Sequence, residues 1–519
     1  MGKKALADGL LTVILPAFFL LVVLPVLFTL GNALFSGHLS TVLSPDTFLL
    51  LGKSVLVAAA VAFFATFFGL LFGFILYKTK IPFSSFFKVT LLIPLFISPY
   101  IIAVAWRDLF FLLFHAPNII ASYGGMIFIM ILIYTPLAML VTGNAFMRVN
   151  VSLEEAGLMM TERHRVIGKI VLPLMKPAII SSFVLVFIFT VSNFSIPGYL
   201  GLQVFTTEIF TQFSAFYDHE TAILQSLILI VVCLVLLLSE KRYLADAPFI
   251  AVGGKGNAAG KYALNNGKIA AVVLLSGWLL LSVVLPFLVL VYQSFQSGTE
   301  KFVTAWKMLS PAVLNSVLLA FSGALIIVII GLAAAYHATS KAGKLFNDLL
   351  LFVFAVPSII FGISLIKFYN HPALGFIYSG FAIILIGYVG KFSFIAAKVT
   401  GNAVKQIPRS LDEAARMQGV GKVHRLLKIY LPLLSPALFA AFVLAFIFSF
   451  SELSTTIMVY PPGSDILPVK VFTVMANASQ ALVSSMTLIV FAVTLLLIAV
   501  FYILAGKWLK KYDFVYDKT

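Results

Sequence analysis

Long apolar runs, separated by shorter polar segments, dominate the hydropathy pattern of the chain. A helix that crosses a membrane needs about 20 mainly apolar residues, and twelve segments of the chain meet this requirement. They cover approximately residues 9–30, 54–77, 89–113, 118–142, 177–199, 221–239, 269–292, 313–335, 348–368, 376–398, 435–456 and 481–505. The pattern therefore predicts an all-α, polytopic membrane protein with about twelve transmembrane helices.

Composition and charge agree with a membrane protein. Of the 519 residues, 61% are hydrophobic and only 10% are charged, whereas soluble domains carry about 25% charged residues. A net charge of +16 would suggest nucleic-acid binding in a soluble protein. Here most Lys and Arg residues, with Lys391 and Lys398 counted among them, fall in alternate connecting segments, which predicts that both termini are cytoplasmic. No nucleic-acid partner is then needed to explain the charge.

Neither a cofactor site nor a metal site is predicted in this chain. The single cysteine, Cys233, lies within an apolar segment, which excludes a disulfide framework and a cysteine-based metal site. The stretch "GNAAGK" at 256–261 has some likeness to a phosphate-binding loop. However, its glycine spacing is one residue short, Tyr262 stands in place of Ser or Thr, and no strand is expected before it.

The chain contains an internal repeat. "VLPVLFTLGNALFSG" from residue 23 parallels "VLPFLVLVYQSFQSG" from residue 284, and "FVLVFIFTVSNFS" from 183 parallels "FVLAFIFSFSELS" from 442. Ser54 parallels Ser316 and Pro99 parallels Pro357, and all these offsets lie between 258 and 262 residues. The repeat predicts two tandem six-helix halves, 1–246 and 269–519. Because six is even, both halves have the same orientation, as in a parallel repeat about an axis along the membrane normal.

The segment that joins the halves, 247–268, is rich in Gly, Ala and Asn with scattered Lys. This composition predicts a flexible cytoplasmic linker.

Two charged loops occupy equivalent positions in the repeat. They read "SLEEAGLMMTERHRVIGKIVLP" at 152–173 and "SLDEAARMQGVGKVHRLLKIYLP" at 410–432. Each begins S-L-[DE]-E, so Ser152 or Ser410 is expected to cap a helix while Glu155 or Glu413 bonds back to its start, a capping box. Gly419 is expected to end the second helix in a left-handed conformation. Small residues follow each glutamate and allow another surface to approach the backbone.

The second loop resembles the EAA loop of ATP-binding-cassette importer permeases, whose pattern is E-A-A, three residues, G, nine residues, I-x-L-P. The matching positions are Glu413, Ala414, Ala415, Gly419, Ile429, Leu431 and Pro432. The first loop is a looser copy. Glu155 and Ala156 fit, Gly157 replaces the second alanine, and Thr161 stands where glycine is expected.

This resemblance covers nearly the whole chain and implies two tandem type I ABC importer permease repeats. In that fold each loop forms a coupling helix seated in a separate ATPase subunit. The resemblance therefore implies two copies of a cytoplasmic ABC ATPase that hold ATP and Mg²⁺, and an extracytoplasmic solute-binding protein that delivers the cargo. The chain itself is then a multi-pass permease of a bacterial inner or plasma membrane, surrounded by lipid, and not an enzyme.

The cargo is suggested by three further stretches, "IPLFISPYIIAVAW", "GYLGLQVFTTEIF" and "SELSTTIMVYPPGSDILPVKVF". They look most like the ferric-iron branch of these permeases, which implies ferric iron as the cargo. Thiamine and a phosphonate are alternatives, because their permeases share the fused layout. The carboxylate of Glu452 suits a cationic cargo such as iron, and it would suit a polyamine or thiamine too. A secondary transporter with a parallel duplication is a further alternative, although it would not need paired capped loops.

Polar residues at membrane depth are candidates for the cargo pathway, because burying them there is costly. Glu452, its repeat counterpart Asn193, and Ser454 beside it are the residues expected to line the pathway. Glu452 can instead face interfacial water at the end of its span. Pro99 and Pro357 are expected to kink their spans or to free backbone carbonyls, with either a gating or a purely structural role.

Arg107 and Asp108, at the outer end of the third segment, form a second polar feature. They are expected to snorkel to the membrane interface, where they can pair with each other or contact a docked protein.

Overall fold

The computed structural model of the chain describes residues 5–35, 44–244, 262–264, 267–296 and 298–516, which form a bundle of long helices. Ten single helices are long and apolar enough to cross a membrane, and two bent helix pairs bring the described residues to twelve spans. The predicted all-α membrane class is therefore confirmed. The strands in the described residues are Thr79–Lys80 and Tyr262–Ala263.

The spans are numbered 1 to 12 in chain order. Spans 1, 2, 4, 5 and 6 are Leu11–Asn32, Pro45–Lys78, Tyr123–Arg148, Arg163–Val191 and His219–Leu238. Spans 7, 8, 10, 11 and 12 are Gly267–Phe295, Glu300–Tyr336, Ala382–Val404, Val423–Ser451 and Gln480–Leu504. Spans 3 and 9 are the bent pairs Ser84–Phe96 with Pro99–Phe114 and Lys341–Ala355 with Ser358–Tyr369. The connecting helices are Val151–Met160, Ser195–Leu200, Phe205–Ser214, Pro372–Leu374, Gly375–Tyr378, Arg409–Met417, Thr456–Val459 and Leu467–Met475.

The two charged loops, 152–173 and 410–432, join spans 4 to 5 and spans 10 to 11. They therefore lie on the same side of the bundle, which we call the loop face, and the opposite side is the far face. Spans 5 and 11 end at Val191 and Ser451, several residues before the predicted ends. A few non-helical residues follow each of them before the next short helix begins. Lys391 lies in the middle of span 10 and is buried, so counting it with a cytoplasmic segment was wrong.

Equivalent hydrogen bonds in the two halves support the repeat. The backbone N–H of Phe205 donates to Ser54 Oγ at 2.8 Å, and the N–H of Leu467 donates to Ser316 Oγ at 2.7 Å. Both donors and both acceptors are 262 residues apart in the sequence. In each half, a serine of the second span thereby fixes the start of the short helix that precedes the last span.

The first span of each half packs against the other half. Phe18 of span 1 makes an edge contact with Phe346 of span 9, with ring centroids 5.5 Å apart, and the Tyr369 hydroxyl donates to the Leu21 carbonyl at 2.8 Å. Trp278 of span 7 lies 4.8 Å from the ring of Phe68 in span 2. Each half therefore packs its first span against the other half, mainly through apolar contacts. Because apolar burial is not directional, these contacts do not fix the angle between the halves.

Proline determines where the spans break. Span 3 bends by 93° before Pro99 and span 9 bends by 105° before Pro357, as expected from a residue without an N–H whose ring disfavours a helical predecessor. Four π-helical turns, Phe19–Val23, Ile167–Val171, Leu280–Val284 and Leu426–Tyr430, each stand directly before a Leu-Pro pair. A π-turn accommodates the proline without ending the helix.

Most of the predicted linker, 247–268, lies outside the described residues, and the boundaries of the halves stay a prediction. Its described part is fixed to the first half, because Tyr262 and Ala263 pair in parallel with Thr79 and Lys80 at the end of span 2. Span 7 begins shortly afterwards, at Gly267.

Candidate functional site

A cavity of about 90 Å³ lies between the two halves. Most of its lining consists of repeat-equivalent residues, one from each half. These pairs are Ile133 with Lys391, Tyr134 with Phe392, Phe189 with Phe448, Ser192 with Ser451, Asn193 with Glu452, and Ser195 with Ser454. Because equivalent residues meet across it, the cavity lies on the axis that relates the halves, and we call it the axial cavity.

Four interruptions of helical backbone meet at this cavity. Pro99 and Ser358 line it beside the bends of spans 3 and 9, and Asn193 and Glu452 line it where the chain leaves spans 5 and 11. Irregular backbone at membrane depth is tolerated where it is buried in protein or borders a cavity. Pro357, at the bend itself, stands next to the lining residue Ser358. The sequence-predicted pathway residues are thus brought together.

Glu452 is buried, with 8% of its surface exposed, rather than facing interfacial water. Its carboxylate accepts hydrogen bonds from Thr455 N at 2.7 Å, Thr456 N at 2.9 Å and Thr456 Oγ1 at 2.5 Å. The carboxylate therefore stabilises the amino end of the short helix Thr456–Val459, where backbone N–H groups lack partners. Both of its oxygens are engaged within its own segment.

Asn193 and Ser454 also hold the interrupted backbone. Asn193 donates through Nδ2 to the Tyr134 hydroxyl at 3.0 Å, and its Oδ1 accepts from the N–H of Ile196 at 3.0 Å. Ser454 Oγ accepts from the N–H of Phe194 at 3.4 Å, across the interface between the halves. The two halves are thus joined by a polar contact at the cavity itself.

Sequence reasoning missed Lys391 as a lining residue. Its ammonium donates to the Val356 carbonyl at 2.6 Å and lies 6.0 Å from the ring centroid of Phe354. Val356 directly precedes the bend of span 9 at Pro357, so its carbonyl is free of a helical partner. The available signal was a lone cation in the middle of an apolar segment, which is a functional candidate by default.

The two loops form helices, but not through the predicted capping boxes. The first helix, Val151–Met160, is capped by Asn150, whose Oδ1 accepts from Ser152 N at 3.0 Å. The second, Arg409–Met417, starts after Pro408 without a side-chain cap. Ser152 and Ser410 lie inside the first turn because each helix starts one residue earlier than its serine. A serine there has already lost the extended backbone that a cap requires.

Each loop helix presents one glutamate and one small residue to the outside. Glu155, Ala156, Glu413 and Ala414 are exposed. Beside them, three methionine side chains are almost fully exposed, Met159 and Met160 at 89% and Met417 at 90%. Exposed methionine is typical of binding surfaces, because its flexible thioether adapts to a partner.

The second small residue of each loop faces inward. Gly157 packs so closely on the following helix that an added Cβ would lie 2.7 Å from Ile170 Cδ1, so alanine here would require the end of the Ile170 side chain to move. Its equivalent, Ala415, is buried. Gly419 has φ of +72° and ends the second helix as predicted, whereas Thr161 in the first loop is extended.

The first loop is anchored by a buried ion pair. The Lys78 ammonium pairs with Glu154, and the Tyr262 hydroxyl donates to the same carboxylate at 3.0 Å. Burial and the neighbouring Glu154 raise the pKa of Tyr262 to about 12, so its hydroxyl remains a donor throughout the neutral range. Arg163 donates to the Ala263 carbonyl at 3.0 Å. The described end of the linker thus holds the first loop.

At the far face, a second cavity of about 320 Å³ separates the halves. Asp108 beside it is 2% exposed and accepts from Gln480 Nε2 at 2.7 Å and from Ser484 Oγ at 2.6 Å. Arg107 lies over the ring of Tyr199, 5.4 Å from its centroid. The expectation that Asp108 snorkels to the membrane interface was therefore wrong, and its carboxylate is not available to a docked protein, because Asp108 links the first half to span 12.

Comparison with known proteins agrees with this architecture. The family model of binding-protein-dependent transport system inner membrane components matches twice, at residues 65–243 and 327–510. The chain is 24% identical over 502 residues to the ferric transport system permease protein of Actinobacillus pleuropneumoniae, covering 88% of this chain and 72% of the relative. It is 25% identical over 445 residues to the Fe(3+)-transport system permease protein of Haemophilus influenzae, covering 83% and 85%.

A Salmonella choleraesuis permease, provisionally named for 2-aminoethylphosphonate transport, is 28% identical over 202 residues, 38% of this chain and 75% of the relative. One family match lies within each structural half, and together the matches cover most of the chain. The chain therefore belongs to the family of binding-protein-dependent transport system inner membrane components, and it is a multi-pass, two-half permease of an ABC importer.

Proposed function

We propose that the chain is the membrane permease of an ATP-driven importer that carries ferric iron into a bacterial cell. Two copies of a cytoplasmic ABC ATPase bind the loop face, and a solute-binding protein delivers cargo at the far face. The observation that carries this proposal is the pair of loop helices on one face, each presenting an exposed glutamate, alanine and methionine. Both termini are then cytoplasmic, as the distribution of basic residues also predicts.

The mechanism follows from the connections of the loops. Each loop helix joins the fourth and fifth spans of its half, and span 5 or span 11 leads directly to the axial cavity. ATP binding draws the two ATPase subunits together, and the loop helices follow them. The halves then rotate as rigid bodies, so that the cavity opens alternately to the two faces. ATP and Mg²⁺ remain in the partner subunits.

Ferric iron is favoured as cargo by the two relatives named for ferric transport, which match over most of the chain. The phosphonate relative matches a smaller part, and thiamine or a polyamine is a further alternative. The test is uptake of radioactive iron, supplied as ferric citrate, by cells that express the complete transporter. Uptake that requires the chain supports the proposal, whereas uptake of 2-aminoethylphosphonate, thiamine or spermidine in its place would replace iron as the cargo.

Purification of the tagged full chain from detergent-solubilised membranes tests the partners. An ABC ATPase subunit, two copies per chain, is expected among the associated proteins. Glu413→Arg reverses the charge on the exposed side of the second loop helix and is expected to weaken ATPase binding by about tenfold or more. The control is Glu300→Arg, an exposed carboxylate at the far face. Proton-driven uptake by the chain alone in liposomes would instead identify a secondary transporter.

A further inference from the structure

Lys391 is the charged group of the axial cavity whose role neither the loops nor the repeat explains. It is 6% exposed, it lies in the middle of span 10, and its ammonium forms no ion pair within the described part of the chain. A buried ammonium at this depth is costly unless it is paired. The Glu452 carboxylate lines the same cavity and attracts this ammonium, but the two form no ion pair, and the carboxylate oxygens are bonded to Thr455 and Thr456. The ammonium therefore keeps N–H groups for a visiting molecule.

The bend of span 9 does not account for this lysine. One structural role is visible, since the ammonium donates a hydrogen bond to the Val356 carbonyl at this bend. However, span 3 has an equivalent bend of 93° before Pro99, and the residue equivalent to Lys391 in that half is Ile133. The same broken span therefore forms without a cation, and the ammonium serves something other than the bend.

The cavity also contains hydroxyl groups that can donate hydrogen bonds to a visiting molecule. Ser192 Oγ is buried and has no hydrogen-bond partner in the described residues. Ser454 Oγ accepts one bond and keeps its own O–H. The carboxylate and amide oxygens of the cavity, in contrast, already have partners: the Glu452 carboxylate accepts three hydrogen bonds and Asn193 Oδ1 accepts two. A visiting molecule meets an ammonium and free hydroxyl groups.

We propose that Lys391 contacts the cargo and that the species crossing the cavity presents negatively charged oxygen atoms. For an iron importer, this is a ferric ion enclosed by anionic oxygen ligands, and not a hydrated cation. The inference rests on the proposed function, because it specifies the form in which the iron crosses. It also accounts for the asymmetry of the lining, since the ammonium is present in one half and isoleucine in the other.

The test is uptake of radioactive iron, supplied as ferric citrate, by cells expressing the complete transporter, normalised to the amount of the chain in the membrane. Lys391→Gln keeps an N–H donor for the Val356 carbonyl and removes the charge, and it is expected to lower uptake by at least about tenfold. Lys391→Arg keeps the charge and is expected to retain most of the uptake. A cationic cargo predicts the opposite sign, because removal of the ammonium would then leave uptake unchanged or raise it.

A double variant separates cargo binding from a structural role. Lys391→Gln combined with Ile133→Lys moves the ammonium to the equivalent position on the opposite wall of the cavity, and it is expected to recover part of the lost uptake. Unchanged or increased uptake in Lys391→Gln, equal losses in Lys391→Gln and Lys391→Arg, or no recovery in the double variant would each overturn the inference. Absence of iron uptake by the unmodified transporter would instead refute the proposed function.

Discussion

The ammonium of Lys78, at the end of span 2, is paired with the carboxylate of Glu154 in the first loop helix, and both side chains are almost completely buried. Tyr262, from the described end of the linker, donates to the same carboxylate. One carboxylate thus joins the first loop, a membrane span and the segment between the halves. The first loop is therefore held to the bundle by this buried contact.

Glu154→Gln is expected to destabilise the protein by about 3–5 kcal/mol, because it leaves the Lys78 ammonium buried without its counter-ion. Thermal unfolding of the purified full chain in detergent measures the change. The matched control is Glu155→Gln, since Glu155 is the next residue and is exposed, and its effect is expected to stay within about 0.5 kcal/mol. Equal stability of the two variants would contradict the anchoring role of Glu154.

Gly157→Ala is expected to displace the end of the Ile170 side chain, because the new Cβ would lie 2.7 Å from Ile170 Cδ1. Because the end of a side chain can move, the cost is expected at the lower end of the about 1–3 kcal/mol typical of overpacking. The measurements are thermal unfolding and co-purification of the ATPase. Gly168→Ala is the control, since a Cβ there meets nothing within 4 Å. If both variants behave like the unmodified protein, the loop tolerates the family's usual alanine and the packing argument fails.

Ser484→Ala is expected to loosen the far face, because it removes one of two hydrogen bonds from the buried Asp108 carboxylate. A hydrogen bond to a charged group contributes about 1.5–3 kcal/mol. In a Cys233→Ser background, thiol labelling of Met475→Cys, which lines the cavity beside Asp108, is expected to become about tenfold faster.

Ser485→Ala is the control for this experiment, because the Ser485 hydroxyl bonds to the Ala481 carbonyl of its own helix and, at 3.5 Å, to the Ser294 carbonyl of span 7 in the same half, and not to Asp108. Labelling at the same rate in Ser484→Ala and in the parent protein would show that Asp108 does not hold the halves together.

Glu452→Gln is expected to lower iron uptake severalfold while leaving ATPase binding intact. The amide has one acceptor oxygen, whereas Thr455 and Thr456 donate three hydrogen bonds to the two oxygens of the carboxylate. Loss of these bonds, worth about 1–3 kcal/mol each when a buried donor is left unpaired, frees the backbone beside the cavity. Full retention of uptake would remove Glu452 from the pathway.

The hydropathy pattern and the repeat were sufficient to predict the twelve spans, the two halves and the common face of the loops. Each depends on local properties, namely the length of apolar runs and the parity of the spans, which do not require knowledge of packing. Gly419 was predicted for the same reason, since a left-handed end of a helix is a local conformation. The capping boxes were wrong, because the helix starts differ by a single residue, which tertiary contacts decide.

Sequence alone therefore determined that this is a duplicated membrane permease with two charged loops on one face, and it named Glu452 and Asn193 as pathway candidates. Only the tertiary structure decided what these residues contact. It placed Lys391 opposite Ile133 in the axial cavity and buried Asp108 against span 12. The physical reason is that a span bent by 93° or 105° changes the direction of every side chain after the bend. The hydropathy pattern contains no information on the size of such a bend or on the angle between the two halves.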